Sequence, residues 1–179
     1  MILYTSTSTQ EELKQILVLQ QLNLPHNISS PEREKEGFVT VHHDLDILTR
    51  MHNICPHTIA KDGEKVIGYT LCMHPQFGSD IPVLRPMFRQ IEKALQDRPE
   101  VLNSYIVMGQ VCIDKAYRGQ GVFRKLYEAM KAQVSPNFSK IITEVDSSNK
   151  RSLQAHYAIG FQLLKRYQSG GQDWEIILL

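Results

Sequence analysis

The sequence predicts an α/β or α+β domain built on a mixed sheet. Three observations carry that expectation. Strand-like and helix-like patterns alternate through the second half of the chain. The run Ser104–Ile113 is too densely apolar for an exposed edge and reads as a central strand. An Asp-Gly turn within Lys61–Lys65 joins Thr58–Ala60 to Val66–Met73 as a hairpin.

Each element follows from local chemistry. Ile2–Thr5 reads as a short strand. Thr9 with Glu12 forms a capping box, and Leu13, Ile16, Leu17 and Gln20 continue at helical spacing, so a first helix runs from Thr9 to Gln21 and ends at Leu24-Pro25. The charged stretch Ser29–Gly37 opens with Ser-Pro and is either a short surface helix or a mobile loop. Asp44–Asn53 forms a helix with Leu45, Leu48 and Met51 on one side. A proline-containing loop, His74–Pro86, precedes a helix over Met87–Leu95. Gly109, inside the central strand, marks a bulge or a close approach by another backbone or a ligand. After the turn Lys115–Gln120, Val122, Leu126, Ala129 and Met130 define a helix to Gln133. Ile141–Val145 is a strand and Asn149–Ile159 a helix. Phe161–Tyr167 and Trp174–Leu179 close the chain as strands around Ser169-Gly170-Gly171.

With 179 residues, and neither repeats nor a convincing linker, the expectation is one domain over residues 1–179. A formal net charge of +1 gives no electrostatic footprint for nucleic acid or a membrane surface. Cys55, Cys72 and Cys112 are odd in number and far apart, which fits reduced thiols in a cytoplasmic protein better than disulfides or a metal site. His26, His42, His43, His52, His57 and His74 contain no i,i+4 pair, so no metal is expected. The N-terminus has no signal-peptide pattern, and no apolar run approaches the ~18 residues of a membrane span.

The most informative segment is Val111–Lys131. A buried-type strand leads into a loop with Arg118, Gly119 and Gly121, and a helix begins at once. The first amides of a helix lack intrahelical partners and carry partial positive charge, and glycines let an anion approach the backbone. By itself the pattern is either a phosphate-binding nest or an ordinary strand-to-helix turn. No Gly-Lys-Ser/Thr follows, which excludes a Walker loop, and the third glycine of a dinucleotide fold is missing.

Arg118-Gly-Gln-Gly121-Val-Phe123 resembles the Arg/Gln-x-x-Gly-x-Gly/Ala motif of the Gcn5-related N-acetyltransferases. Ile142–Phe161 resembles the second half of that fold, with an Asn at a helix start, a small residue three positions on, and Gly-Phe closing the helix. The resemblance implies a mixed, mostly antiparallel sheet flanked by helices, with acetyl-coenzyme A held where two parallel strands, Ser104–Ile113 and Ile141–Val145, splay apart. Backbone groups of Val111 and Ile113 would then pair with the pantetheine arm, and the Val111 amide would stabilise negative charge on the thioester oxygen. Amides of Arg118, Gly119, Gln120, Gly121, Val122, Phe123 and Arg124 would hold the pyrophosphate. Phe123 departs from the motif's Gly/Ala, and its ring points either into the core or at the phosphates. Asn149 and Ser152 would contact the cofactor; without that role, Asn149 is an N-cap and Ser152 a small packing residue.

The implied reaction is direct acetyl transfer to a primary amine of a small molecule or a protein N-terminus. An amine like that of lysine, with a pKa near 10.4, needs roughly 4–5 kcal/mol to deprotonate at neutral pH, so a base is expected. The Glu144-Val145 pair, five residues before Asn149, resembles that of ribosomal-protein alanine acetyltransferases, where the matching glutamate serves as base; without that role Glu144 is an outward-facing strand residue, and the family's other carboxylate position falls near Val107. The acid position, a tyrosine in the family, holds His156 here with Tyr157 beside it; adjacent helical residues point about 100° apart, so no more than one of them can face the sulfur, and the alternative for either is a packing role. The amine acceptor would be held by the first helix, the Ser29–Asn53 region and the hairpin after Val66. An alternative is a non-catalytic acyl-coenzyme A sensor with the same fold. Family members often form homodimers, and no sequence feature decides that point.

Overall fold

A computed structural model describes residues 1–24, 27, 39 and 41–179. Among them, seven strands form one sheet: β1 (Ile2–Ser6), β2 (Thr58–Asp62), β3 (Lys65–Met73), β4 (Tyr105–Ile113), β5 (Lys140–Asp146), β6 (Gln162–Ser169) and β7 (Gln172–Leu178). The order is β1-β2-β3-β4-β5-β7-β6, and every neighbouring pair is antiparallel except β4 and β5. The mixed, mostly antiparallel sheet expected from the sequence is the sheet that forms.

The helices are α1 (Gln10–Leu22), α2 (Leu45–Ile54), α3 (Arg85–Leu95), α4 (Pro99–Leu102), α5 (Val122–Val134) and α6 (Lys150–Ala158). Thr9 and Glu12 make the expected capping box on α1, and Glu12 also pairs with Lys61 at 2.9 Å. Asp44 caps α2 through the Ile47 amide. The helix expected to start at Met87 starts at Arg85, because Pro86 fits the first turn, where a missing N–H is no loss. The loop before it contains two 3₁₀ turns, Pro75–Ser79 and Pro82–Leu84, and α4 had no sequence signal. Pro25, His26 and the Ser29–Gly37 segment lie outside the described residues.

Strand side chains alternate between two cores. Tyr69, Leu71 and Met73 of β3, Ile142 of β5 and Ile176 of β7 pack with Leu13 and Ile16 of α1, Leu48 of α2 and Ile91 of α3. Cys72, Ile141, Val145 and Ile177 point the other way, onto Tyr127 and Met130 of α5 and Leu153 of α6.

In β4 this alternation breaks. Thr70 pairs with Val111 but Cys72 with Met108, so Gly109 and Gln110 together oppose Leu71. This is the bulge anticipated at Gly109. Before it, Val107 faces the α1–α3 side and Met108 the α5–α6 side; after it, Cys112 faces the first and Val111 the second. The bulge thus inverts which residues of β4 face α5 and α6.

Candidate active site

The strands β4 and β5 pair over three positions, Tyr105–Lys140, Ile106–Ile141 and Val107–Ile142, and then part. At the fork the Thr143 hydroxyl donates to the Met108 carbonyl at 2.8 Å, taking the place of the next ladder bond. On its other side β4 stays bonded to β3. Because the Asp114 amide donates to the Ile67 carbonyl at 2.8 Å, antiparallel alternation makes Cys112–Tyr69 a hydrogen-bonded pair. Val111 and Ile113 therefore turn their N–H and C=O groups away from β3 and into the widening gap. The Ile113 carbonyl already accepts from Arg118 Nε at 3.1 Å.

The loop after β4 delivers a helix start with no side-chain cap, for Gly121 is itself the capping residue of α5. Gly119 and Gly121 have φ of 73° and 78°, conformations that other residues adopt only under strain. A Cβ on either would meet nothing within 4 Å, so it is the backbone conformation, not space, that requires glycine. Among the described residues, no protein group accepts from the amides of 119–124; the first backbone bond beyond them runs from Lys125 to Gly121 at 3.2 Å. These amides border a cleft of about 320 Å³ lined by Val111, Ile113, Arg118, Gly119, Gly121, Val122, Phe123, Arg124, Asn149 and Ser152. Gln120 is absent from the lining; its side chain folds back onto the Ala116 carbonyl at 2.9 Å. The Phe123 ring packs on Tyr127 and His156, each centroid 5.1 Å away, and walls the cleft from the core side. The Arg118 guanidinium spans the cleft mouth to Asn23 Oδ1 at 2.6 Å.

Asn149 caps α6, accepting from the Ser152 amide at 3.2 Å, and still borders the cleft, so the two readings of this residue are compatible. Asn149, Ser152 and His156 share one face of α6, and all three line a narrow space of about 60 Å³ at the fork.

His156 is only 1% exposed. Its Nδ1 lies 2.7 Å from the Ser152 carbonyl, which can only accept, so Nδ1 carries the hydrogen and Nε2 accepts from the Tyr127 hydroxyl at 2.7 Å. Burial pushes its pKa down to about 4. The ring is thus neutral, with its single N–H occupied. Tyr157 points elsewhere. It is 38% exposed, its phenol donates to Glu175, and burial and that carboxylate push its pKa up to about 12. The structure brings His156 to the gap and leaves Tyr157 outside it.

Glu144 borders both the fork and a second cavity of about 230 Å³ on the α1–α3 side of the sheet. Burial raises its carboxyl pKa to about 7, partly offset by the hydroxyl of Tyr167, which donates to it. Among the described residues, Val41 walls this cavity together with Val83, Leu84, Met87 of α3, β4, β5 and the β6–β7 hairpin, while α1 and the hairpin after Val66 contribute none of its lining. Val41 is fixed by a buried network: Gln110 Nε2 donates to the Val41 carbonyl at 2.7 Å, while Gln110 Oε1 accepts from Tyr69 at 2.6 Å and Gln20 at 2.9 Å. Gln20 Oε1 in turn accepts from the His43 amide at 2.8 Å.

The three spaces adjoin one another. Asn149 and Ser152 border both the cleft and the fork, and Gly109, Thr143, Glu144 and Trp174 border both the fork and the second cavity. They follow in line past the point where β4 leaves β5, with a row of unpartnered amides at one end and a carboxyl toward the other.

Residues 20–161 match the model of the acetyltransferase (GNAT) family. The chain belongs to the GNAT acetyltransferase family. GNAT neighbours among solved structures span almost the whole chain. The ribosomal-protein-S18-alanine N-acetyltransferase from Escherichia coli has a TM-score of 0.65 at 13% identity, covering 100% of this chain and 93% of its own. The NatC complex bound to Gag peptide and CoA gives 0.65 at 18%, covering 99% and 97%. Arabidopsis thaliana Naa50, in complex with the bisubstrate analogue CoA-Ac-MVNAL, gives 0.66 at 12%, covering 99% and 97%. Identities this low show the shared GNAT fold alone. No curated protein matches the sequence.

Sequence reasoning did not find Thr143, Tyr167, Gln110 or Trp174. Gln110 left a trace: it sits inside an apolar strand, as Gln20 sits on the apolar stripe of α1, and a glutamine in such a place needs a buried partner. Tyr167 and Trp174 left none. Among the described residues no cluster of three or more His, Cys, Asp or Glu side chains could hold a metal, and no helix is long and apolar enough to cross a membrane.

Proposed function

We propose that this GNAT domain, residues 1–179, transfers an acetyl group directly from acetyl-coenzyme A to a primary amine. The observation that carries the reading is the fork between β4 and β5, whose lining residues border both the cleft at an anion-ready helix start and the cavity at a carboxyl with a pKa near 7.

The residues fit the cofactor. Unpartnered amides from Gly119 to Arg124 at an uncapped helix N-terminus suit a diphosphate, and the outward N–H and C=O groups of Val111 suit an extended amide-bearing arm. Asn149 and Ser152 border the route between them. When bound there, acetyl-coenzyme A supplies the acetyl group as an activated thioester. The Val111 amide is the donor placed to stabilise charge on its carbonyl oxygen, a kind of contact whose removal typically costs about 2.7–4 kcal/mol in the transition state.

Glu144 takes the proton of the incoming amine. A base works best with a pKa near the working pH, and burial has brought Glu144 there. Since His156 has no free acidic proton and Tyr157 lies outside the gap, Glu144 is also the group that returns the proton to the departing sulfur. The ammonium first loses one proton to water; as the neutral amine forms the C–N bond and the C–S bond breaks, a second proton leaves nitrogen, resides on Glu144 and ends on sulfur. In this reading His156 is a positioning residue that holds the Ser152 end of α6 against the gap. A cytoplasmic location, which the three unpaired cysteines support, completes the proposal.

The test is release of free thiol from acetyl-coenzyme A over a panel of amines, beside calorimetric binding of the cofactor. Binding with turnover of at least one amine supports the proposal. Binding without turnover of any would instead support an acyl-coenzyme A sensor.

A further inference from the structure

The second cavity sets limits on what can approach Glu144. Its volume of about 230 Å³ lies below the ~300–1,000 Å³ usual for drug-sized ligands, so the acceptor's buried part is small. Val41, Val83, Leu84, Met87 and Val107 make an apolar wall, completed by the rings of Tyr167 and Trp174. Among the described residues of the lining, Glu144 is the only formally charged side chain. A substrate carboxylate or phosphate buried here would meet no cation among the described residues and would stand beside a second negative charge. A second ammonium, away from Glu144, would lose its water without gaining a partner. Polar groups occur at the β6–β7 hairpin, where Ser169 and Gln172 border the cavity.

We infer that the acceptor is a primary amine borne next to an apolar group about the size of a leucine, methionine or phenylalanine side chain, with no carboxylate, phosphate or second amine close by. The inference rests on the acetyltransferase reading above and adds the substrate class to it. Such an amine can be a free arylalkylamine or the N-terminus of a polypeptide with an apolar first residue. The chemistry facing Glu144 is the same in both.

The experiment measures kcat/KM by thiol release for 2-phenylethylamine, a methionine-initiated tetrapeptide amide, free phenylalanine and putrescine. At least one of the first two should exceed the last two by tenfold or more, and the better of the pair identifies the source. Val83 is 68% exposed at the cavity rim, so Val83→Lys should fold normally. It should lower kcat/KM for 2-phenylethylamine several-fold and raise that for phenylalanine by supplying the missing cation. Turnover of phenylalanine or putrescine equal to that of the apolar amines overturns the inference and leaves the acetyltransferase reading intact. Cofactor binding with no amine turned over overturns both.

Discussion

The hydroxyl of Thr143 donates to the carbonyl of Met108 at 2.8 Å, at the point where two parallel strands cease to pair. The bond ends the ladder cleanly, so that the gap opens at a fixed position and not by fraying. Thr143→Val keeps the shape and removes the donor. Leaving a buried carbonyl unpaired costs about 1–3 kcal/mol. Denaturant unfolding should show that loss, and the KM for acetyl-coenzyme A should rise, while Thr143→Ser restores both.

Glu144→Gln should lower kcat about 10²-fold with the calorimetric Kd for acetyl-coenzyme A unchanged, because the side chain borders the acceptor cavity and not the cofactor cleft. Tyr157→Phe should leave kcat within about twofold, since a base that returns its own proton needs no second residue. A large fall in the Tyr157 variant would restore the phenol to the acid role.

The pH profile follows from the raised carboxyl pKa. With Glu144 as the proposed base, the ionised form is the active one, so kcat/KM should climb as pH rises through about 7. Tyr167 donates to that carboxylate and pulls its pKa down; Tyr167→Phe should therefore move the profile to higher pH. Stability runs in the opposite sense. A carboxyl whose pKa is raised by folding favours the folded state at low pH and loses that contribution as pH climbs from about 4.5 to about 7. Thermal melts of Glu144→Gln should show the variant gaining on the parent over that window.

Gly119→Ala and Gly121→Ala should each weaken acetyl-coenzyme A binding tenfold or more by calorimetry. Their φ values of 73° and 78° set the direction of the neighbouring amides, and alanine would pull both out of that region. Stability should fall by about 1 kcal/mol, without any clash, because the space around both is open.

Three histidines predict how the fold responds to acid. Burial depresses the pKa of His43 and His156 to about 4 and that of His57 to about 3. Groups depressed by folding support the fold above their unfolded value, near 6.5, and stop doing so as pH falls toward the folded one. Each should therefore withdraw stability as pH falls across that window. Denaturant midpoints should drop between pH 6.5 and 4, and replacing His57 with a neutral residue should flatten that fall.

What the sequence revealed was what lies close along the chain. The Thr9–Glu12 box, the glycine loop and the Asn149–Ser152–His156 face each need no more than eight residues to recognise. The Thr143 clasp joins residues 35 apart, the bond from Tyr167 to Glu144 spans 23, and Gln110 reaches Val41 across 69. No local pattern encodes such contacts. His156 shows the intermediate case. Its face was legible, but its burial among Phe123, Tyr127 and Phe161 depends on three rings from other parts of the chain.

A single extra residue at Gly109–Gln110 has an outsized effect on this molecule. By reversing the strand's parity it turns Val111 toward α5 and α6 while Val107 keeps to the opposite core, so that a single strand furnishes a wall to the amide-lined cleft on one side of the sheet and to the cavity on the other.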